Sequence, residues 1–160
     1  MDVIGLCLIV AVLLFVAAFI TKRRFGLLGL ALAAGSILSG IWGFDAGLEA
    51  SAFGAPSGPL ASAVVSCLII LLPAVILLFH GDKYKTLVGR LIGAGLFTLL
   101  ALAFLIEPLS RVIIPQGFGS DVFKWLVDNR TTVIGAGLVF AIIDLFLTKS
   151  VHFLDRHHKH

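Results

Sequence analysis

Few residues in this chain have the types and spacing to do chemistry, and most of them stand alone. Asp144 is the one ionisable side chain well inside an apolar run. At a helix centre an ionised Asp costs about 2.5–3.5 kcal/mol on membrane-insertion scales. It therefore marks either a proton or ion site within a bundle, or an acid held near a membrane boundary. Lys149 follows at a distance of about 7.5 Å along a helix axis, so Asp144 is off-centre and could pair with Lys149 or with Arg90. Pro73 interrupts another apolar run. It removes one intrahelical hydrogen bond and produces a hinge or a static kink. His152, His157, His158 and His160 cluster in the last residues. Such a cluster could take a divalent metal, but at a basic chain end it reads as a polar tail, and no metal or other cofactor is expected. Cys7 and Cys67 both lie in apolar runs, where free Cys behaves as a small buried hydrophobe.

What is missing narrows the classes further. There is no G-x-S-x-G, no H-E-x-x-H and no P-loop. No run carries the several polar groups of a selective pore, and no internal repeat of the transporter kind is visible. No catalytic residues are assigned, and the chain is not expected to be an enzyme.

The elements that would position these residues are unusually apolar. Hydrophobic residues make up 59% of 160 and charged residues 13%, against about 45–50% and about 25% in soluble domains. Such a chain has too little polar surface to coat a core in water. The expected fold class is all-α: one domain (1–160), a polytopic membrane bundle of five transmembrane helices plus a short interfacial amphipathic helix. The spans are placed at 3–20, 25–42, 60–79, 86–106 and 131–148, with a basic, His-containing tail at 149–160.

Small residues recur at four-residue spacing in the second span, Gly29 with Ala33 and Ser36 with Gly40, and Gly89 with Gly93 repeats the pattern at the fourth. Such pairs let helix backbones approach closely in lipid. Between 44 and 60 a Gly- and Pro-rich outer loop is expected, with room for a short helix near Asp45–Phe53. Glu107-Pro108 should end or kink the fourth span. Ser120 is the N-cap expected for a helix over Asp121–Asp128, whose Phe123 and Trp125 suit a membrane interface.

Charge fixes the threading. Nine of twelve Lys and Arg lie in alternate gaps: Lys22, Arg23 and Arg24; Lys83, Lys85 and Arg90; Lys149, Arg156 and Lys159. Cytoplasmic loops collect Lys and Arg, so the N-terminus is expected outside and the C-terminus inside. The first span reads as an uncleaved helix, because Asp2 stands where a signal peptide has its basic region. Bases distributed in this way do not form a nucleic-acid patch. The partners expected are the lipid bilayer and either a second copy or another membrane protein.

In the order of its parts the chain resembles the colicin V production (CvpA-like) family of small bacterial inner-membrane proteins. The residues that carry the resemblance are Lys22-Arg23-Arg24-Phe25-Gly26 between the first two spans, Arg90-Leu91-Ile92-Gly93 entering the fourth, and Phe123-Lys124-Trp125-Leu126 after Ser120. It covers about residues 1–130. Two departures stand out: Phe precedes Gly in the first turn, and a fifth span with a histidine tail follows the family's four. The resemblance implies the bacterial cytoplasmic membrane and a non-enzymatic role as an export or envelope accessory or scaffold. A small channel or proton-coupled transporter is the rival class, with Asp144, Arg90 and Pro73 as its candidate functional residues.

Overall fold

Backbone groups surrounded by apolar side chains must find hydrogen-bond partners within their own segment, which makes each long apolar run a helix. The computed structural model describes residues 3–52, 58–79, 84, 86–112 and 120–157, with backbone only at 3, 4, 6, 7, 44–51 and 147–157. It contains α1 (Val3–Thr21), α2 (Phe25–Ala52), α3 (Pro59–Phe79), α4 (Leu87–Ser110), α5 (Ser120–Asp128) and α6 (Arg130–His157). Among the described residues there is no β-sheet, and the chain is an all-α helical bundle.

α4 is the axis of the bundle and touches every other helix. Its Phe97, Leu100, Ala101 and Phe104 meet Phe25, Leu28 and Leu32 of α2, Ile70 and Ala74 of α3, Ala18 of α1 and Ala141 of α6 in one core. The outer faces are apolar as well. On α3, Leu60, Val64, Leu68, Leu72 and Ile76 form an exposed stripe at four-residue intervals. Water would penalise such a stripe, and lipid accepts it. Phe25–Gly43, Pro59–Phe79 and Leu87–Ser110 are long and apolar enough to cross a membrane. α5 and α6 meet that test together as a span broken by a 69° bend, while the described apolar part of α1, Leu8–Thr21, is shorter. Length and composition thus support three crossings, or four with the bent pair.

Several boundaries differ from the sequence expectation. α2 does not stop at Trp42 but continues to Ala52. The segment after Phe44 is rich in Ala, with Leu48 and Glu49, all good helix formers. α4 passes through Pro108 instead of ending at Ile106. Its last turn is closed by Ser110 Oγ donating to the Glu107 carbonyl at 3.0 Å and Val112 N donating to the Leu109 carbonyl at 3.0 Å. The region read as a tail stays helical to His157. The bend before α6 is at Asn129, whose side-chain amide donates to the Trp125 carbonyl at 2.9 Å and whose own carbonyl accepts from Val133 N at 3.0 Å.

The tightest seam joins α2 and α3. A Cβ on Gly35 would lie 2.2 Å from the Ile70 carbonyl oxygen, so only glycine permits this approach. Pro73 lies one turn further on, in an α3 that runs unbroken to Phe79.

Candidate functional site

The polar groups of the described bundle gather at two ends. At the first, α1 closes on Lys22, a non-glycine residue at φ 57°, whose N–H donates to the Ala18 carbonyl at 3.1 Å. The following turn is bound to the α3–α4 connection by Tyr84 N, which donates to the Lys22 carbonyl at 2.8 Å. A helix ends with carbonyls that have no partner within it and a partial negative charge. Two arginines supply the missing donors. Arg23 donates from Nε to the Leu78 carbonyl at 2.9 Å and from Nη2 to the Phe79 carbonyl at 2.6 Å. Arg90 donates from Nη2 to the Phe19 carbonyl at 2.9 Å, with its guanidinium 4.5 Å from the Phe19 ring centroid.

Asp144 completes the pattern with the opposite sign. α2 begins with free N–H groups and a partial positive charge. Asp144 Oδ2 accepts from Gly26 N at 2.9 Å. Its Oδ1 accepts from the Tyr84 hydroxyl at 3.2 Å, and that hydroxyl accepts from Phe25 N at 3.1 Å. An acid of α6, 118 positions away, therefore caps α2. The close fit needs Gly26, where a Cβ would come within 2.5 Å of the Ala141 carbonyl oxygen. Burial raises the Tyr84 phenol above its ordinary value of 10.0; the Phe25 hydrogen bond opposes the rise and the neighbouring Asp144 charge adds to it.

Tyr84 also changes the reading of Gly89 and Gly93. A Cβ at Gly93 would be 2.6 Å from Tyr84 Cε2, and one at Gly89 would be 3.1 Å from Tyr84 Cδ1. Within the chain, these glycines seat an aromatic ring from the preceding loop. Gly29 does lie at a helix contact, where a Cβ would be 3.0 Å from that of Ala141 and 3.3 Å from Leu100 Cδ2. Ala33 packs against the core.

At the second end lies a cavity of about 250 Å³ between α2, α3 and α4. Ser36, Ser39, Gly40 and Gly43 line it from α2, Ser62, Ser66 and Ile70 from α3, Glu107 and Pro108 from α4, and Arg111 from the residue that caps α4. Gly40 thus faces open space, with nothing within 4 Å of a Cβ built on it. Glu107 Oε2 accepts from Arg130, which ties the start of α6 to α4, and Oε1 lies 3.4 Å from Arg111 Nη2.

Sequence reasoning missed Tyr84, Gly26, Gly35 and the serines Ser39, Ser62 and Ser66. The serines left a signal, since their spacings put Ser36 with Ser39 and Ser62 with Ser66 on single helix faces. Trp125 is exposed on α5 and Phe123 half-buried. His80, Gly81, Lys83, Lys85, His158, Lys159 and His160 lie outside the described residues, as does most of the Gly- and Pro-rich stretch before α3. Among the described residues, no three His, Cys, Asp or Glu side chains converge on one point. Searches of protein-family models, curated proteins and solved structures matched nothing to this chain.

Proposed function

We propose that this chain is a non-enzymatic, membrane-embedded scaffold or export and envelope accessory of the colicin V production type, in the bacterial cytoplasmic membrane. The observation that carries the reading is the use of charge at the basic end. Arg23 and Arg90 hold helix carbonyls, and Asp144 holds the N-terminus of α2. Groups engaged in this way brace helices, whereas a proton relay needs an acid that exchanges partners during turnover.

The same contacts support a five-crossing topology. Lys22 from the first basic gap, Tyr84 and Arg90 from the second, and Asp144, inside α6 one turn before the third, meet at one end, as an up-and-down arrangement requires. By the positive-inside rule that end is cytoplasmic, with the N-terminus outside and the C-terminus inside.

The rival transporter reading is tested in proteoliposomes with a pH-sensitive dye and an imposed proton or potassium gradient. The expected result is leakage no greater than in empty vesicles for both the wild type and Asp144→Asn. A gradient-driven flux in the wild type that disappears in Asp144→Asn would overturn the scaffold reading.

A further inference from the structure

We propose that the cavity between α2, α3 and α4 is a binding site for a small zwitterion, an ammonium group joined to a phosphate or carboxylate. The inference does not depend on the accessory role. Its first support is the state of the hydroxyls. Three hydroxyls inside the long helices turn back on their own helix: Thr21 donates to the Ala17 carbonyl at 2.7 Å, Thr98 to the Ala94 carbonyl at 2.8 Å and Ser110 to the Glu107 carbonyl at 3.0 Å. Ser36, Ser39, Ser62 and Ser66 make no hydrogen bond to any described residue, although all four border the cavity. Each offers one donor and two acceptor lone pairs. None of the four is sealed away from the cavity, so an occupant can reach their donors and acceptors.

The second support is the pair of charges at the rim. Glu107 and Arg111 both line the cavity. Arg111 is largely exposed and makes one long contact, 3.4 Å to Glu107 Oε1, so most of its five donors remain available. Glu107 takes Arg130 on Oε2 and keeps acceptor capacity on Oε1. A simple anion at Arg111 would lie beside Glu107, and a simple cation at Glu107 beside two arginines. A zwitterion places its ammonium at Glu107 and its oxyanion at Arg111, with the serines bonding to whatever polar atoms lie below.

Size and depth agree with that class. A volume of about 250 Å³ lies just under the range of about 300–1,000 Å³ typical of ligand pockets, and fits a headgroup or an amino acid. From Ile70 at the floor to Ser62 the lining extends about 12 Å along α3. The floor is closed by the Gly35–Ile70 contact.

A lipid headgroup and a free solute share this chemistry, and one experiment separates them. The purified full chain in detergent is offered phosphatidylethanolamine, phosphatidylglycerol and free phosphoethanolamine. Bound lipid is counted by native mass spectrometry, and free phosphoethanolamine by titration calorimetry. Phosphatidylethanolamine should bind at least about tenfold more tightly than phosphatidylglycerol, the equivalent of one charge-assisted hydrogen bond. Ser66→Ala and Arg111→Gln should each weaken it several-fold, while Thr98→Ala, outside the cavity, should not. Retention of free phosphoethanolamine with the same dependence on Ser66 and Arg111 identifies a soluble zwitterion, and its failure beside tight lipid binding identifies the headgroup. Equal binding of the two lipids without retention of free phosphoethanolamine, binding indifferent to both cavity variants, or no binding of any probe would overturn the proposal.

Discussion

The two ends of the membrane-crossing stretch of α2, Phe25–Gly43, face opposite circumstances. At Phe25 and Gly26 the first N–H groups of the helix have partners from elsewhere in the chain: Asp144 from α6, and Tyr84 from the α3–α4 connection. At Ser36, Ser39 and Gly43 the same helix faces a cavity with its hydroxyls unengaged. Both ends use small residues, but for different purposes. Gly26 is small because backbone and side chains of α6 press against it, and Gly40 is small beside empty space. Closure without slack is what a brace requires, while unengaged donors and acceptors around a space are what recognition requires. The contrast also separates two meanings of an intramembrane polar residue, since Asp144 reads in sequence as a candidate proton or ion site and in the structure caps α2.

The sharpest way to break this comparison is a methyl group at the closed end. Gly26→Ala would place Cβ 2.5 Å from the Ala141 carbonyl oxygen and 2.8 Å from Leu145 Cγ. α2 and α6 would have to separate, and the Gly26–Asp144 hydrogen bond would stretch. Overpacking of this kind costs about 1–3 kcal/mol, and a hydrogen bond to a charged group adds about 1.5 kcal/mol. The expected loss is about 3 kcal/mol, read as a fall in the midpoint of denaturation in mixed micelles. A variant as stable as the wild type would mean that the basic end is not closed.

How much of this arrangement was legible beforehand depended on the kind of signal. The all-α class followed from apolar runs too long for strands, and the contact between the first two basic gaps, Tyr84 on Lys22, fits their alternation. The partners of the charges were not legible. Arg23, Arg90 and Asp144 bond to main-chain groups at helix ends, and a main-chain carbonyl has no letter in a sequence. Gly89 and Gly93 carry a contact that was hidden for a related reason. Their spacing matches a helix–helix motif, but the group that fills the notch is Tyr84, from the loop before them. The helical continuation past Trp42 was masked by the Gly and Pro that follow it.

Tyr84 offers a smaller perturbation at the same end. Tyr84→Phe keeps the ring against Gly93 but removes a hydroxyl that accepts from Phe25 N and donates to Asp144. One helix-end N–H is left without that partner, and the cost should be about 1–2 kcal/mol. A pH dependence accompanies it. The folded-state value of the phenol is raised above 10.0, so between the unfolded and folded values the folded state holds more protons. The contribution is therefore complete below pH 10 and is lost as pH climbs through the raised folded value. The chain has one tyrosine, so tyrosinate absorbance reports this residue alone. Its midpoint should lie above 10.0 in the folded protein and return there on denaturation. A folded-state midpoint at or below the denatured one would show that the ring is not buried against α4.

The smallest effect is expected at the open end, and its smallness is the point. Gly40→Ala adds the same methyl as Gly26→Ala, on the same helix, with nothing within 4 Å of the new carbon. Ala is favoured over Gly inside a helix by about 0.5–1 kcal/mol, so stability should stay level or rise by up to that amount. Gly40 lines the cavity, and the added methyl takes up part of its volume. Measured beside Gly26→Ala under the same micelle conditions, the two variants differ in whether α2 receives the carbon at its first turn or beside the cavity. A loss at Gly40 as large as that at Gly26 would show that the cavity closes in the membrane, and the distinction between a braced end and an open one would fail.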